Sequence, residues 1–229
     1  EKENLQHSIK EKSLEITDTK STTRHSLGSS IEGILFIASG VSSRNNEVVL
    51  SLPKGRELKN LTAQVNHGVL SIADVKLSNA KILSNGYLLR ITDSEIKNSQ
   101  LITTGIVNVF ETSLTDSRIQ ADHQHISAED IQVHGKVELE SKKDMVIQLS
   151  KKELERINLN LSSEHGAIYH RTREGVHPVQ GNHENKDEEF SNPYNVEKKD
   201  TQDLLVAKAG QDINIPDEPD RSPNSRNYE

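Results

Sequence analysis

Apolar residues in the middle of the chain recur with a period of 18 or 19 residues. Within each period they alternate with polar residues, as in Leu70-Ser-Ile72 and Leu89-Arg-Ile91, and this alternation is typical of strands with one buried face. The pattern predicts an all-β protein. Alignment of the repeats gives four apolar columns, which are Ala63, Ile82, Leu101 and Ile119; Leu70, Leu89, Val107 and Ile126; Ile72, Ile91, Val109 and Ala128; and Leu77, Ile96, Leu114 and Val133.

Turn residues recur in phase with these columns. Asparagine and glycine tolerate the positive φ angles that tight turns need. We therefore expect the asparagine and aspartate side chains of these turns to bond the turn backbone, and we expect the glycines to supply positive φ. In the fourth repeat His123-Gln124 replaces the turn glycine. The predicted structural turn residues are Asn60, Asn79, Asn98 and Asp116, followed in each of the first three repeats by Gly68, Gly86 and Gly105.

Two architectures fit a period of this length. A β-solenoid forms one coil per repeat and stacks like residues on like, so each column becomes an internal ladder. An antiparallel meander or sandwich uses two strands per repeat and alternates their direction. The persistence of the columns and the constant phase of the turns favour a single-stranded β-helix with coils of about 19 residues.

The apolar pattern also divides the chain into segments. Short apolar runs at 33–37 and 47–52 predict strands of the first coils, and the sparse apolar residues of 170–203 predict a polar, mobile insertion, either a loop or a long hairpin. The predicted organisation is 1–29 as an N-terminal linker or first strand, 30–169 as the β-solenoid, 170–203 as the insertion, 204–215 as a returning strand unit of the solenoid, and 216–229 as a disordered tail.

Three short phrases resemble a known bacterial family. They are Val49-Leu-Ser-Leu-Pro-Lys-Gly55, Leu58-Lys-Asn-Leu61 with the repeated turns behind it, and the closing Ala-Gly-Gln-Asp-Ile-Asn-Ile215. Together they are similar to the bacterial adhesin-type domain of unknown function, which includes Lia-type cell-envelope-stress proteins of Gram-positive bacteria. The resemblance spans roughly 30–215. It implies a right-handed single-stranded β-helix displayed outside the membrane, with no established catalytic activity and no catalytic residues to carry over.

Composition excludes several classes of function. The chain has no Cys, which rules out thiol catalysis, disulfide scaffolds and thiolate metal sites. A net charge of −7 without a basic cluster argues against nucleic acid, and aromatic residues make up only 3%. The longest apolar run, Ile34–Ala38, is too short for a membrane helix. Residues 181–229 hold twelve acids and six bases, a net charge of −6, so most of the negative charge lies in this segment.

Acidic residues form a fifth column with the same period. If the coils stack, these carboxylates lie about 4.8 Å apart and repel one another, so a cationic peptide or Ca²⁺ would be attracted to them. The structural alternative, which we favour because charged turn residues are common at solenoid corners, is that they cap turn amides and keep the surface soluble. The candidate binding residues are Asp74, Asp93, Glu111 and Asp130.

The sequence offers little support for a metal site or for nucleophilic catalysis. The ten His match no metal-binding spacing, including the pair His123 and His125, so no metal or other cofactor is predicted. No Gly-x-Ser-x-Gly elbow is present. The sequence predicts a non-enzymatic, extracytoplasmic binding or structural module of a bacterial envelope protein that contacts a protein or cationic peptide. The alternative is a glycan-binding or glycan-active β-helix.

The ends of the chain add one expectation. The first residue is Glu1 and the only Met is Met145. We expect that a signal peptide, membrane anchor or preceding domain has been removed, with the full-length protein associated with the membrane or cell wall.

Overall fold

The computed structural model describes residues 57–65, 68–181, 194 and 198–210, together with the backbone of five strands nearer the N-terminus. Those five strands are β1 (Leu5–Lys10), β2 (Ser13–Asp18), β3 (Arg24–Gly28), β4 (Ile37–Ser39) and β5 (Glu47–Val49). The expected tail 216–229 and residues 182–193 lie outside the described residues.

Five central coils contain three strands each, and each coil adds one strand to each of three parallel sheets. The strands are β6 (Glu57–Lys59), β7 (Thr62–Val65), β8 (Val69–Ala73), β9 (Lys76–Ser78), β10 (Lys81–Ser84), β11 (Leu88–Thr92), β12 (Glu95–Lys97), β13 (Gln100–Thr103), β14 (Ile106–Phe110), β15 (Ser113–Thr115), β16 (Arg118–Ala121), β17 (Ile126–Glu129), β18 (Gln132–His134), β19 (Lys136–Ser141) and β20 (Met145–Gln148).

The sixth coil begins with a helix and ends the stack. Its elements are α1 (Lys151–Arg156), β21 (Asn158–Ser163) and β22 (Ala167–Arg171), followed by β23 (Val176–Gly181) and β24 (Leu204–Ala209).

The strand pairing confirms the predicted all-β solenoid, which has about six coils. Ala63 pairs with Ile82, Ile82 with Leu101 and Leu101 with Ile119, all in parallel. Each predicted apolar column is therefore a ladder running along the solenoid axis, and the central coils are not an antiparallel meander. Sheet 1 has the order β1-β2-β3-β7-β10-β13-β16-β19-β24-β21, sheet 2 the order β23-β22-β20-β17-β14-β11-β8-β4-β5, and sheet 3 the order β18-β15-β12-β9-β6.

The four apolar columns fill the interior of the solenoid. Leu89, Leu101 and Leu114 are fully buried, one from each sheet, and the other column residues are at most 4% exposed. Alternate residues point outward, as the burial of β11 shows by switching at each position along Leu88–Thr92. The core is thus a continuous aliphatic column, and polar chemistry is confined to the outer faces and the corners.

The N-terminal strands differ from the prediction of further coils. β4 pairs antiparallel with both β5 and β8, so the described parts of the runs 33–37 and 47–52 belong to a hairpin that extends sheet 2. β1, β2 and β3 form an antiparallel meander that extends sheet 1 through β7. A short apolar run specifies a strand but not the direction of its partner, and this explains the error.

The helix α1 occupies the place of the next sheet 3 strand. Ser150 is its N-cap and accepts a hydrogen bond from the Glu153 amide at 3.2 Å. The buried Glu153 carboxylate accepts from the Val133 amide at 2.7 Å, and Arg156 donates to the Val133 carbonyl. Two side chains thereby replace the backbone partners of β18 and terminate the edge of sheet 3.

The C-terminal strands complete the other two sheets. β22 and β23 form an antiparallel hairpin, which places residues 170–181, the first part of the predicted insertion, in regular structure. Pro178 is tolerated because β23 is an edge strand. β24 lies between β19 and β21 and pairs in parallel with both. Within the described residues, no helix is long and apolar enough to cross a membrane.

Candidate binding surfaces at the solenoid corners

Two rows of left-handed residues turn the chain at the two ends of each sheet 3 strand. The amide corner, between sheets 3 and 1, consists of Asn60, Asn79, Asn98 and Asp116, with φ of 56°, 53°, 47° and 44°. The acidic corner, between sheets 2 and 3, consists of Asp74, Asp93, Glu111 and Asp130, with φ of 51°, 49°, 46° and 50°. Both predicted columns therefore occupy positions where asparagine, aspartate or glycine is favoured.

Side chains at the amide corner remain largely free to contact a ligand. Within the described part of the chain, the amides of Asn79 and Asn98 form no hydrogen bond, whereas Asp116 Oδ1 accepts one from the Lys136 amide at 3.0 Å. Gly135 continues the row in the fifth coil with φ of 62°. The expectation that this column bonds turn backbone through its side chains is thus met by Asp116 and not by Asn79 or Asn98.

Buried hydroxyl groups perform that bonding, and the sequence analysis did not single them out. Ser99 Oγ accepts from the Ala80 amide at 3.0 Å and donates to the Lys97 carbonyl at 2.7 Å. Ser117 repeats the arrangement one coil later, accepting from the Ser99 amide at 3.1 Å. At the acidic corner Ser94 accepts from the Val75 amide at a longer 3.4 Å. The sequence does contain a signal for these hydroxyl groups, because at the amide corner a serine directly follows the corner residue in the third and fourth coils.

A groove of about 570 Å³ runs along the amide corner, parallel to the solenoid axis. One wall is the corner row itself, and the other is the first outward row of sheet 1, which includes Lys81 and Arg118. The lining between the walls consists of the small residues Ala80, Ser99 and Ser117, and their size leaves the groove open. This groove was not predicted from the sequence.

Charges are distributed unevenly along the groove. In its lower half, Arg118 Nη2 lies 2.6 Å from Glu140 Oε2 and Lys136 Nζ lies 2.5 Å from Glu138 Oε1. The hydrogen bond from Lys136 lowers the pKa of Glu138, with the charges of Lys136 and Arg118 acting in the same direction. In the upper half, among the described residues, Lys81 has no carboxylate within ion-pair distance. Within the part of the chain that the structure describes, the upper half therefore presents a cation without a paired carboxylate.

The acidic corner brings its carboxylates close together on the surface. A hydrogen bond with Asp93 raises the pKa of Glu111, and the charges of Asp93 and Asp130 raise it further. The four corner residues are exposed, and Phe110, beside Glu111, is 40% exposed. This surface combines clustered negative charge with an accessible aromatic ring.

The glycine corner, where sheet 1 passes to sheet 2, corrects one prediction. Gly68 has the expected positive φ of 97°, but Gly86 and Gly105 do not have positive φ. A Cβ at Gly86 would collide with the carbonyl of Gly68, and one at Gly105 with the backbone of Gly86 and Tyr87. These two glycines are required because successive coils approach closely there, not because of their own φ.

The histidines do not converge on a metal site within the described residues. His123 is exposed beside Asp122, with 3.4 Å between Nε2 and Oδ2, and His125 lies apart on the approach to β17. His170 is different: its Nδ1 lies 2.8 Å from the hydroxyl of the buried Tyr194, which donates to the Ile147 carbonyl. Burial lowers the pKa of His170, and the neighbouring His177 contributes in the same direction.

Comparison with known proteins gives one match. A family model described as Toastrack DUF4097 matches residues 1–216, a range that includes the six coils and both corners. No curated protein matches the chain. No solved structure matches it either.

Proposed function

The chain belongs to the Toastrack DUF4097 family, and we propose that it is a non-enzymatic binding and structural module of a bacterial cell envelope, acting outside the cytoplasm. Its aliphatic interior supplies a rigid scaffold, and its corners present polar groups at regular steps of about 4.8 Å. Kinship with the Lia-type envelope-stress proteins and a role in adhesion or stress sensing are parts of this proposal. The proposed ligand of the acidic corner is a cationic amphipathic peptide.

The observation that carries the proposal is the identity of residue 111. A left-handed corner accepts Asn, Asp or Gly at low cost, and the other seven non-glycine corner residues are Asn or Asp. Glu111 places a longer carboxylate there, and its interaction with Asp93 raises the pKa of Glu111. A turn-forming role does not require this arrangement, because Asn would turn the chain without the charge repulsion.

Phe110 offers an apolar contact beside the carboxylates. Its ring is 40% exposed and lies directly before Glu111, so an amphipathic peptide can place basic side chains on the carboxylates and an apolar side chain on the ring. For the glycan alternative, none of the described residues that line the amide groove is aromatic, so these residues offer no platform for stacking on neutral sugar rings. That alternative stays a prediction.

The test is binding of a cationic amphipathic peptide to the whole chain at several salt concentrations. We expect the double variant D93N/E111Q to weaken binding about tenfold at low salt, with the difference shrinking as salt screens the charges. F110A should weaken binding at all salt concentrations. The matched control is E164Q/E174Q, which removes two exposed carboxylates from the β21–β22 and β22–β23 connections.

Unchanged affinity in D93N/E111Q would rule out the acidic corner as the binding site. An equal loss in both double variants would show that only net charge matters, and would also overturn the proposal.

A further inference from the structure

The outer face of sheet 1 is buried to a degree that the outer face of sheet 2 is not. Ile102 and Gln120 are only 6% and 1% exposed, although they alternate with interior residues and so point outward. Glu140, the next residue of this row, and Val206 on β24 also point outward and are buried. None of the residues in the middle outward row of sheet 2 is buried; they are Ser71, Arg90, Asn108, Ser127 and Val146.

Two nitrogen atoms on the outer face of sheet 1 need hydrogen-bond acceptors. Gln120 Nε2 and Arg118 Nε are both buried, and within the described part of the chain neither has a hydrogen-bond partner. Every described strand belongs to one of the three sheets and α1 takes a sheet 3 position, so no described element forms a layer over this face. Buried donors without acceptors are costly, and these two therefore indicate an oxygen-bearing group above Gln120.

The described chain ends beside this face. Gly210 follows β24 in the left-handed conformation, with φ of 67°, and its amide donates to the Ser141 carbonyl at 2.8 Å. Ser141 directly follows Glu140, so Gly210 lies at the end of sheet 1 where the buried outward row runs. Residues 211–229 lie outside the described part of the chain, and the family match extends six of them further, to 216.

The sequence after Gly210 fits this face in length and in pattern. Ile213 and Ile215 are separated by one polar residue, so an extended backbone places both on one side. An extended chain advances about 3.3 Å per residue and the coils are about 4.8 Å apart, so three residues span roughly two coils. Two coils separate β19, where Gly210 is held, from β13, which carries Ile102.

We propose that residues 211–216 dock in an extended conformation on the outer face of sheet 1, with Ile213 against Ile102 and an oxygen of the segment accepting from Gln120 Nε2. The segment is favoured over a separate partner because it is tethered at the edge of the face, which gives it a high effective concentration there. Docking ties the end of the last coil to the third and fourth coils. It is independent of the acidic corner and of any ligand there.

The first experiment is disulfide formation in the whole chain, which contains no cysteine of its own. I102C/I213C should form a disulfide within one chain under a mild oxidant, because docking brings the two Cβ atoms together. N108C/I213C is the matched control, since Asn108 points outward from sheet 2 in the same coil as Ile102. We expect the first pair to react about tenfold faster than the control, as measured by mass spectrometry of the monomer.

A faster reaction of I102C/I213C within one chain supports the proposal. Equal rates for the two pairs overturn it. A disulfide that forms mainly between chains assigns the face to a second copy of the protein and also overturns it.

The second experiment measures how accessible position 102 is. The single thiol of I102C should react slowly with a maleimide, and adding I213D/I215D should raise the rate about tenfold, because two carboxylates resist burial on this face. N224D/N227D adds the same charge further along the chain and should leave the rate unchanged. Circular dichroism checks that each variant is folded.

An unchanged rate in folded I213D/I215D overturns the docking of this segment. An equal increase in N224D/N227D would show an effect of charge alone and would overturn it too. If I213D/I215D does not fold, the disulfide pairs decide, because their chains keep Ile215 and the rest of the segment.

Discussion

The amide corner and the acidic corner flank the same short sheet and make the same backbone turn, yet they carry different chemistry. Each places one left-handed residue per coil, with φ between 44° and 56°. One row presents mainly neutral amides beside a groove, and the other presents four carboxylates beside an exposed ring. The backbone requirement therefore restricts these positions to a few residue types, and within that choice the charge is free to serve binding.

The largest loss of stability among the corner variants should appear at the end of the amide row. Gly135 has a φ of 62°, and a Cβ there would collide with the Asp116 carboxylate that bonds the Lys136 amide. We expect G135A to lower the free energy of unfolding by about 2–3 kcal/mol, through backbone strain and loss of that bond. N98A, which meets only the strain, should cost about 1 kcal/mol. Urea unfolding followed by circular dichroism measures both, and equal costs would contradict the collision.

The buried hydroxyls offer a matched pair within one coil. S99A removes the acceptor of the Ala80 amide at 3.0 Å, and S94A removes that of the Val75 amide at 3.4 Å. A buried amide left without a partner is costly, so we expect S99A to lower stability by about 1–2 kcal/mol and S94A by less. Faster hydrogen exchange at Ala80 in S99A would locate the effect. A larger loss in S94A would show that the two corners are not held in the same way.

Glycine substitution separates conformation from chemistry at the corners. E111G removes both a strained left-handed glutamate and its repulsion with Asp93, so its melting temperature should exceed that of the wild-type chain. N98G should change the melting temperature little, because asparagine already tolerates this conformation. Differential scanning calorimetry provides the comparison. A lower melting temperature in E111G would show that the carboxylate stabilises the fold.

The smallest effect is a pH dependence of the free energy of unfolding, which has opposite signs for a glutamate at the acidic corner and for one beside the amide corner. The pKa of Glu111 is raised above its ordinary value of 4.5, so the folded chain holds that proton more tightly than the unfolded chain does. Stability therefore falls as pH rises from the unfolded pKa through the raised pKa of the folded chain. The pKa of Glu138 is lowered below 4.5, so its contribution is present above that pH and lost as pH falls.

Unfolding experiments between pH 3 and pH 7 test both signs. E111Q should remove a decrease in stability with rising pH, and E138Q should remove an increase. Identical pH profiles for the two variants would refute the assignment of opposite shifts.

The coils could be predicted from the sequence because their information is local and repeated. The apolar columns and both rows of turn residues recur every 18 or 19 residues, and parallel stacking makes each recurrence a contact. The candidate acidic column could be located for the same reason. The raised pKa of Glu111 could not, because the interaction with Asp93 that raises it depends on side-chain direction.

Other features depend on information that periodicity does not contain. The helix α1 had a readable signal, since Ser150 and Glu153 have capping-box spacing, but Glu153 bonds Val133 in the preceding coil. The groove arises because three small residues coincide at one row. The roles of Gly86 and Gly105 come from the distance between coils and not from their own backbone angles.

The position of β24 has a consequence for how the chain is made. Strand pairs within the central coils join residues 18 to 20 apart, whereas β24 pairs with β19 across 68 residues, from Lys136 to Leu204. During synthesis the central coils can stack as each one emerges, because every strand finds its neighbour already in place. β21 cannot, since its sheet partner is made about 40 residues later. The last coil of the solenoid is therefore completed only when the final strand enters between two that already exist.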